Sequence, residues 1–243
     1  YNSLCFVLKE YDRVVNQLIP TIRPLLRRQL DDLEGKLRVG MDGNLTWTSM
    51  SIDGYLDRVR SGIARFDELV SKMNDVVENR VEANVREIGK TMLVDLPADQ
   101  TVTLEQFVMM QDKLVKKQQE WMDQKNYAVE NAVNDLLNFV SAYLQDNGEP
   151  YPEDVEMSSR IREHYSRLMY RSILNATKNS MIALKTRIGS SSSGGFLFIE
   201  RPFFDVDVEL AIPTVAMNPS LDDIQGAINR TALYILRCSK KLY

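Results

Sequence analysis

The feature that most constrains the fold is a line of apolar residues advancing in alternating steps of four and three. Its members are Ile52, Leu56, Val59, Ile63, Phe66, Val70, Met73 and Val77. This heptad spacing predicts a helix that needs a neighbouring helix along its whole length. Val81, Val85, Ile88 and Met92 continue the line with two steps of four, a stutter that relaxes a left-handed supercoil. A helix over residues 51–93 would be roughly 65 Å long.

Two further helices are predicted on either side of this one. Apolar periodicity over residues 3–39 predicts a helical segment that is kinked or broken near Pro20 and Pro24, because proline lacks an amide donor and clashes with the preceding turn. Downstream, Thr103 and Gln106 match a capping box, and a helix is predicted from there to residue 144.

The C-terminal third changes in character. Pro152 can open a fourth helix that runs to about residue 188, and the Ser/Gly run at residues 189–195 predicts a flexible joint. Polar and apolar residues then alternate over residues 205–210, which predicts a strand with one buried face. Flanking prolines favour an edge or isolated strand, and Ser220 with Asp223 predicts the cap of a last helix.

These elements predict an all-α fold, an elongated bundle of long antiparallel helices with one extended, strand-like crossing segment near the C-terminus. Connections of roughly 5 to 10 residues favour antiparallel neighbours. The predicted organisation is a helical bundle over residues 1–188, a flexible joint at 189–195, an extended segment at 196–218, and the start of a further helical segment at 219–243.

Composition and motifs predict no catalytic, cofactor or metal site. The net charge is -4, whereas nucleic-acid-binding domains are more often basic, and no apolar run approaches the ~20 residues of a membrane span. His164 is the one histidine, and Cys5 and Cys238 lie at opposite ends of the chain, so a zinc ligand set is missing. Neither common glycine-rich phosphate-binding motif occurs.

The residues singled out are therefore predicted to act in packing. Trp121 falls in the apolar line of the third helix, Trp47 is placed to staple the entrance of the heptad helix, and Phe203 and Phe204 are expected to anchor the extended segment. The full set of predicted packing residues is Trp47, Phe66, Trp121, Phe203, Phe204, Pro219, Leu221 and Ile224.

Two blocks of sequence resemble a known family. The first joins Pro20-Thr21-Ile22-Arg23-Pro24, Gly40, Leu45-Thr46-Trp47 and Ile52-Asp53-Gly54-Tyr55; the second joins Pro202 to Val208, Pro213, Asn218 to Asn229 and Cys238-Ser239-Lys240-Lys241. In this order they resemble the tail of axonemal dynein heavy chains, just before the linker that precedes the motor ring. The Ser/Gly run at residues 189–195 departs from that pattern.

The resemblance implies a structural, force-transmitting part of an ATP-driven, minus-end-directed microtubule motor of cilia and flagella. ATP and magnesium would bind in a motor ring C-terminal to Tyr243, so no catalytic residue carries over. Implied partners are other dynein heavy chains, intermediate and light chains or docking subunits, and the doublet microtubule, with no nucleic acid and no membrane. The implied location is the cytoplasmic cytoskeleton, in the axoneme of the cilium or flagellum.

The alternative hypothesis is a generic coiled-coil or spectrin-like scaffold or tether without motor function. Helical periodicity alone does not separate the two. The proline-flanked strand within residues 203–229 favours the dynein tail, because a spectrin-like repeat has no need of it.

Overall fold

A computed structural model describes residues 2–41, 52–97, 100–144, 152–189 and 203–239. The helices are α1 Asn2–Gln17, α2 Arg27–Met41, α3 Ile52–Asp75, α4 Ala83–Lys90, α5 Leu104–Leu144, α6 Pro152–Gly189 and α7 Leu221–Cys238. The strands are β1 Asp207–Ala211 and β2 Thr214–Asn218. The all-α class with a small extended element near the C-terminus is confirmed.

Several predicted boundaries coincide with structural ones. A short 3-10 turn at Arg23–Leu26 separates α1 from α2, where the prolines predicted a break. At the start of α5 the backbone N–H of Thr103 donates to Gln106 Oε1 over 3.1 Å, and the N–H of Gln106 donates to Thr103 Oγ1 over 3.2 Å. The predicted turn at residues 40–44, the Trp47 staple and the Ser/Gly joint fall wholly or mainly outside the described residues.

Residues 1–83 with 128–166 form one compact unit, in which α3 packs against both α1 and α2. The heptad residues from Val59 to Val77 are all buried. A second buried line runs along α3 and into the π-helical segment that follows it, Val76–Glu82. It also advances in steps of seven: Tyr55, Gly62, Leu69 and Val76. The second line is explained by the second neighbour, because one helix touching two others must bury two lines of side chains.

Polar side chains of α3 donate hydrogen bonds to backbone carbonyls of α1 and α2. Asn74 Nδ2 donates to the carbonyl of Gln17, the last residue of α1, over 2.7 Å. The Tyr55 hydroxyl donates to the carbonyl of Lys36 over 3.0 Å. The last carbonyls of a helix lack partners within it, so Asn74 supplies a missing donor at the end of α1. Lys36 lies inside α2, so the Tyr55 hydroxyl instead links α3 to the body of that helix.

The stutter predicted after Val77 takes a specific form, a π-helical segment at Val76–Glu82 between α3 and α4. The N–H of Ala83 donates to the carbonyl of Glu78, five residues earlier. In an α-helix, four residues turn the chain about 40° beyond one full turn. Apolar residues repeated at every fourth position would therefore move progressively away from the buried face. Wider π winding offsets the drift. The predicted continuation to Met92 is wrong, because α4 ends at Lys90 and Met92 is 40% exposed.

Residues 84–127 with 167–243 form the second compact unit. Its main core cluster contains Leu93, Val94, Ala176, Leu184 and Ile235. Helices α4 and α6 approach closely at Gly89, where an added Cβ would lie 2.8 Å from Ser172 Oγ. That hydroxyl donates to the carbonyl of Val85, so glycine lets the two helices meet around a buried hydrogen bond.

The predicted single edge strand is instead a two-stranded antiparallel hairpin. Strand β1 pairs with β2 in a register that places Val208 opposite Met217 and Leu210 opposite Val215. Pro213 lies in the two-residue connection, where it removes no donor from either strand. The predicted buried face is also wrong, because Val208 and Leu210 are 58% and 83% exposed.

Two glycine substitutions test the close approach of α4 and α6. We expect Gly89→Ala to lower the free energy of unfolding by about 1 kcal/mol, because the new methyl group displaces the buried Ser172 hydroxyl. Gly226→Ala on α7, where nothing lies within 4 Å of the added Cβ, should raise it by about 0.5–1 kcal/mol through helix propensity. Chemical denaturation measures both, and equal stabilisation by the two variants would refute the close contact.

Candidate functional site

Three phenylalanine rings form the best-defined side-chain cluster of the second unit, here called the aromatic anchor. Phe107 lies 5.5 Å from Phe203 and 5.3 Å from Phe204, edge to face in both pairs, and Phe203 lies 4.7 Å from Phe204. Phe107 is fully buried and Phe203 nearly so. Such pairs each contribute about 0.5–1.5 kcal/mol beyond the burial of area.

Backbone hydrogen bonds hold the aromatic anchor in place. The N–H of Val102 donates to the carbonyl of Phe203 over 2.9 Å, and the N–H of Asp205 donates to the carbonyl of Val102 over 3.0 Å. Val102 and Phe204 thus form a parallel bridge. The capping box at Thr103 ends the extended backbone immediately after Val102, which places Phe107 in the first turns of α5 beside the bridge.

Two more helices contribute to the aromatic anchor. Ala227 of α7 is buried in the same cluster, and the Arg187 guanidinium near the end of α6 lies 4.7 Å from the Phe203 ring centroid. A cation at that distance is attracted to the ring face. The aromatic anchor therefore joins α5, α6, α7 and the backbone that leads into the hairpin.

Buried polar side chains hold the segment between α4 and α5, and sequence analysis missed them. Gln111 accepts from the N–H of Asp95 over 3.1 Å and donates to its carbonyl over 2.7 Å. Gln118 donates to the carbonyl of Met92. Both glutamines are 7% exposed, and their seven-residue spacing on α5 is the signal that could have revealed them.

Ser180 completes this set from α6. Its hydroxyl accepts from the N–H of Leu93 over 2.7 Å and donates to the carbonyl of Ala176 over 2.7 Å. Both Ser180 and Leu93 are almost completely buried. A buried N–H without a partner is costly, so this serine keeps the non-helical backbone inside the core.

The remaining predicted packing residues lie apart from the aromatic anchor. Phe66 is fully buried on α3 in the first unit, while Pro219 and Ile224 are half-buried. Trp121 is half-buried instead of in the core, with the Lys125 ammonium 5.5 Å from its ring centroid. Contrary to the predicted packing role, Leu221 is 65% exposed, because it begins α7 on the side that faces solvent.

In the described part of the chain, few side chains are candidates for catalysis or metal binding. His164 is exposed, and its ring centroid lies 5.1 Å from that of Tyr165 in an edge-to-face contact. Burial raises the pKa of Tyr165 to about 12. Within residues 2–41, 52–97, 100–144, 152–189 and 203–239, no group of His, Cys, Asp and Glu could hold a metal ion. None of the helices in those ranges has the length and apolar character needed to span a bilayer.

Comparison with known proteins identifies the family. A model described as dynein heavy chain, N-terminal region 1, matches residues 1–55. The chain is 46% identical over 242 residues to the dynein gamma chain of the flagellar outer arm of Chlamydomonas reinhardtii, an alignment covering 100% of this chain and 5% of that protein. This chain belongs to the axonemal dynein heavy chain family.

More distant axonemal dynein heavy chains align over nearly the same span. Identity is 25% over 296 residues to axonemal heavy chain 5 of Mus musculus, covering 99% of this chain and 6% of that one. It is 25% over 275 residues to axonemal heavy chain 8 of Homo sapiens, covering 96% and 6%. The dynein segment described here thus spans about one twentieth of the length of these relatives.

Removal of the aromatic anchor should loosen the C-terminal part of the dynein segment. We expect Phe203→Ala with Phe204→Ala to lower the free energy of unfolding by several kcal/mol, since truncation of a buried phenylalanine such as Phe203 costs about 3–5 kcal/mol and Phe204 is half-buried beside it. Limited proteolysis should then cut residues 203–218 sooner. Leu221→Ala, at an exposed position, is the matched control and should change neither stability nor cleavage; unchanged protease resistance in the double variant would count against the anchor.

The buried serine gives a separate test of the segment between α4 and α5. Ser180→Ala leaves the buried N–H of Leu93 without its acceptor, so we expect a loss of about 1–3 kcal/mol in the free energy of unfolding. Ser166→Ala, at an exposed position on the same helix, should change it by less than about 0.5 kcal/mol. Denaturant titration of both variants checks this, and similar midpoints would contradict it.

Proposed function

We propose that this dynein segment is a load-bearing part of the heavy-chain tail, which carries force between the motor and the doublet microtubule and packs against other subunits. The observation that carries the proposal is the combination of family membership with long helices and with the lateral packing of α3, through buried lines of apolar residues, against α1 and α2. Helices α5 and α6 have 41 and 38 residues.

Long helices suit a tensile and compressive load. Every interior residue of a helix is hydrogen-bonded along the axis, and close-packed interiors compress little and transmit strain. The heptad line that runs along α3 into the π segment, buried from Val59 to Val77, couples that helix to its neighbours by lateral contact. Load applied to one helix is therefore shared by those beside it.

Two described places where the chain leaves a helix are supported too. Gln111, Gln118 and Ser180 take up the backbone hydrogen bonds of the segment after α4. The aromatic anchor ties the backbone before the hairpin to α5. Segments of this kind are where a loaded chain would yield first, because open backbone has little local stability.

The work of the complete heavy chain belongs to the same proposal. We infer an ATP-driven, minus-end-directed microtubule motor whose ATP and magnesium sites lie outside this segment. Its partners would be other dynein heavy chains, intermediate and light chains or docking subunits, and the doublet microtubule. Relatives named for flagellar and axonemal dyneins support a location in the axoneme of cilia or flagella.

Loaded single-molecule motility tests the proposal in the full-length heavy chain. Phe107→Ala with Phe203→Ala should leave ATP turnover in solution unchanged, because both residues lie outside the motor sites inferred above. When the N-terminal end of the tail is attached to an optically trapped bead, the same variant should stall at a lower force on microtubules, since the tail yields under load.

Leu221→Ala is the control variant and should match the unmodified heavy chain in both assays. Proteolysis of the double variant should first establish that the aromatic anchor has loosened. A loosened tail that reaches the unmodified stall force would contradict the load-bearing role.

A further inference from the structure

The hairpin presents an apolar face that the described part of the chain leaves uncovered. Val208 and Leu210 of β1 lie opposite Met217 and Val215 of β2, so all four side chains share one face. Their exposed fractions are 58%, 83%, 42% and 61%, and Ile212 at the tip is 100% exposed. These five residues are called the hairpin face below.

The hairpin face is held in position by the elements on either side of it. The aromatic anchor and the Val102 bridge fix the backbone just before β1. After β2, the Ser220 hydroxyl accepts from the N–H of Asp223 and starts α7, which buries Ala227 and Ile235. An exposed apolar sheet face on a fixed support is an aggregation risk for a monomer, and such patches mark interaction sites.

Charge indicates what kind of partner the hairpin face receives. Residues 203–229 contain five acidic side chains and no Lys or Arg: Asp205, Asp207, Glu209, Asp222 and Asp223. Asp207 and Glu209 occupy the other face of β1, so the hairpin is apolar on one side and negative on the other. Complementary potentials steer association and exclude partners of like charge.

We propose that the hairpin face docks a protein helix whose apolar line is bordered by lysine and arginine. An amphipathic helix lays such a line into an apolar surface through residues at steps of three and four. Bordering cations with long side chains can reach round the narrow hairpin to Asp207 and Glu209, because their aliphatic stems cover apolar surface while the charge stays in water.

A second copy of this chain fits less well, because two copies would bring together two segments that each carry five acidic residues and no basic one. The same repulsion disfavours an anionic membrane. The proposal rests on the assembly role proposed above and names the chemistry of one partner; the binding test below involves no motor activity, so its failure leaves the load-bearing role untouched.

Fluorescence anisotropy with a synthetic helical peptide tests the docking. The probe is about five turns long, with leucine at helix positions i, i+3, i+4 and i+7 and lysine at every bordering position. The control peptide has glutamate in place of each lysine. We expect the chain to bind the lysine peptide at least about tenfold more tightly than the glutamate peptide. Equal binding of the two peptides would overturn the proposal.

Matched variants locate the binding site. Leu210→Ser with Val215→Thr should weaken lysine-peptide binding by about tenfold or more, with an unchanged circular dichroism spectrum, since both side chains are exposed. Val155→Thr with Ile182→Ser changes two α6 residues that are 60% and 52% exposed and should bind as the unmodified chain does. A hairpin-face variant that retains full affinity would overturn the proposal.

Two further measurements test the alternative occupants of the hairpin face, a second copy of the chain and a membrane. In sedimentation, any dimer that the unmodified chain forms should persist in the Leu210→Ser, Val215→Thr variant, because the hairpin face does not hold it together. Flotation with phosphatidylserine-containing vesicles should show no binding that depends on Leu210 and Val215. A dimer or a vesicle complex lost in that variant would assign the face to a second copy or to a membrane and would overturn the proposed helix partner.

Discussion

Lateral burial of apolar lines on long helices is the interaction on which the rest of the structure depends. On α3 two such lines run in parallel, one through Phe66 and the other through Leu69, because α1 and α2 both pack against it. Burying a large apolar side chain contributes about 1.5–3 kcal/mol. A helix with this much apolar surface is stable only beside its neighbours, so the helix folds as it packs against them.

The departures from regular helix serve the same packing. The π segment at Val76–Glu82 keeps valines at steps of four on the buried side. Gly89 allows α4 to approach α6 at Ser172. Where the chain leaves α4, Gln111, Gln118 and Ser180 replace the hydrogen bonds that a helix would have supplied. These described connections are fixed to the helices beside them, which supports the load-bearing role proposed for this dynein segment.

Local chemistry explains which features could be predicted from sequence. The capping boxes at Thr103 and Ser220, the break at Pro20 and Pro24, and the start of α6 at Pro152 each depend on a few adjacent residues. Heptad spacing predicted the first buried line of α3. The second line was not predicted, because the number of faces that a helix buries depends on how many helices pack against it. Sequence periodicity does not identify those neighbours.

The hairpin and the aromatic anchor depend on contacts between distant residues. From the sequence alone, Pro213 predicts the limit of a single strand, whereas in the structure it lies in the turn between two strands. Phe203 and Phe204 were predicted to anchor the extended segment, but the partner Phe107 and the bridge to Val102 lie about 100 residues earlier in the chain. Alternation in β1 correctly separated apolar from polar faces and could not show whether this chain covers the apolar one.

Native-state hydrogen exchange tests the central claim most directly. If apolar lines hold the helices side by side, the slowest amides should include those of residues 55–88 and of α5 beside its buried residues, while amides of the exposed hairpin exchange much faster. Exchange across residues 55–88 as fast as in the hairpin would mean that the helix is not held by its neighbours, and would contradict the account.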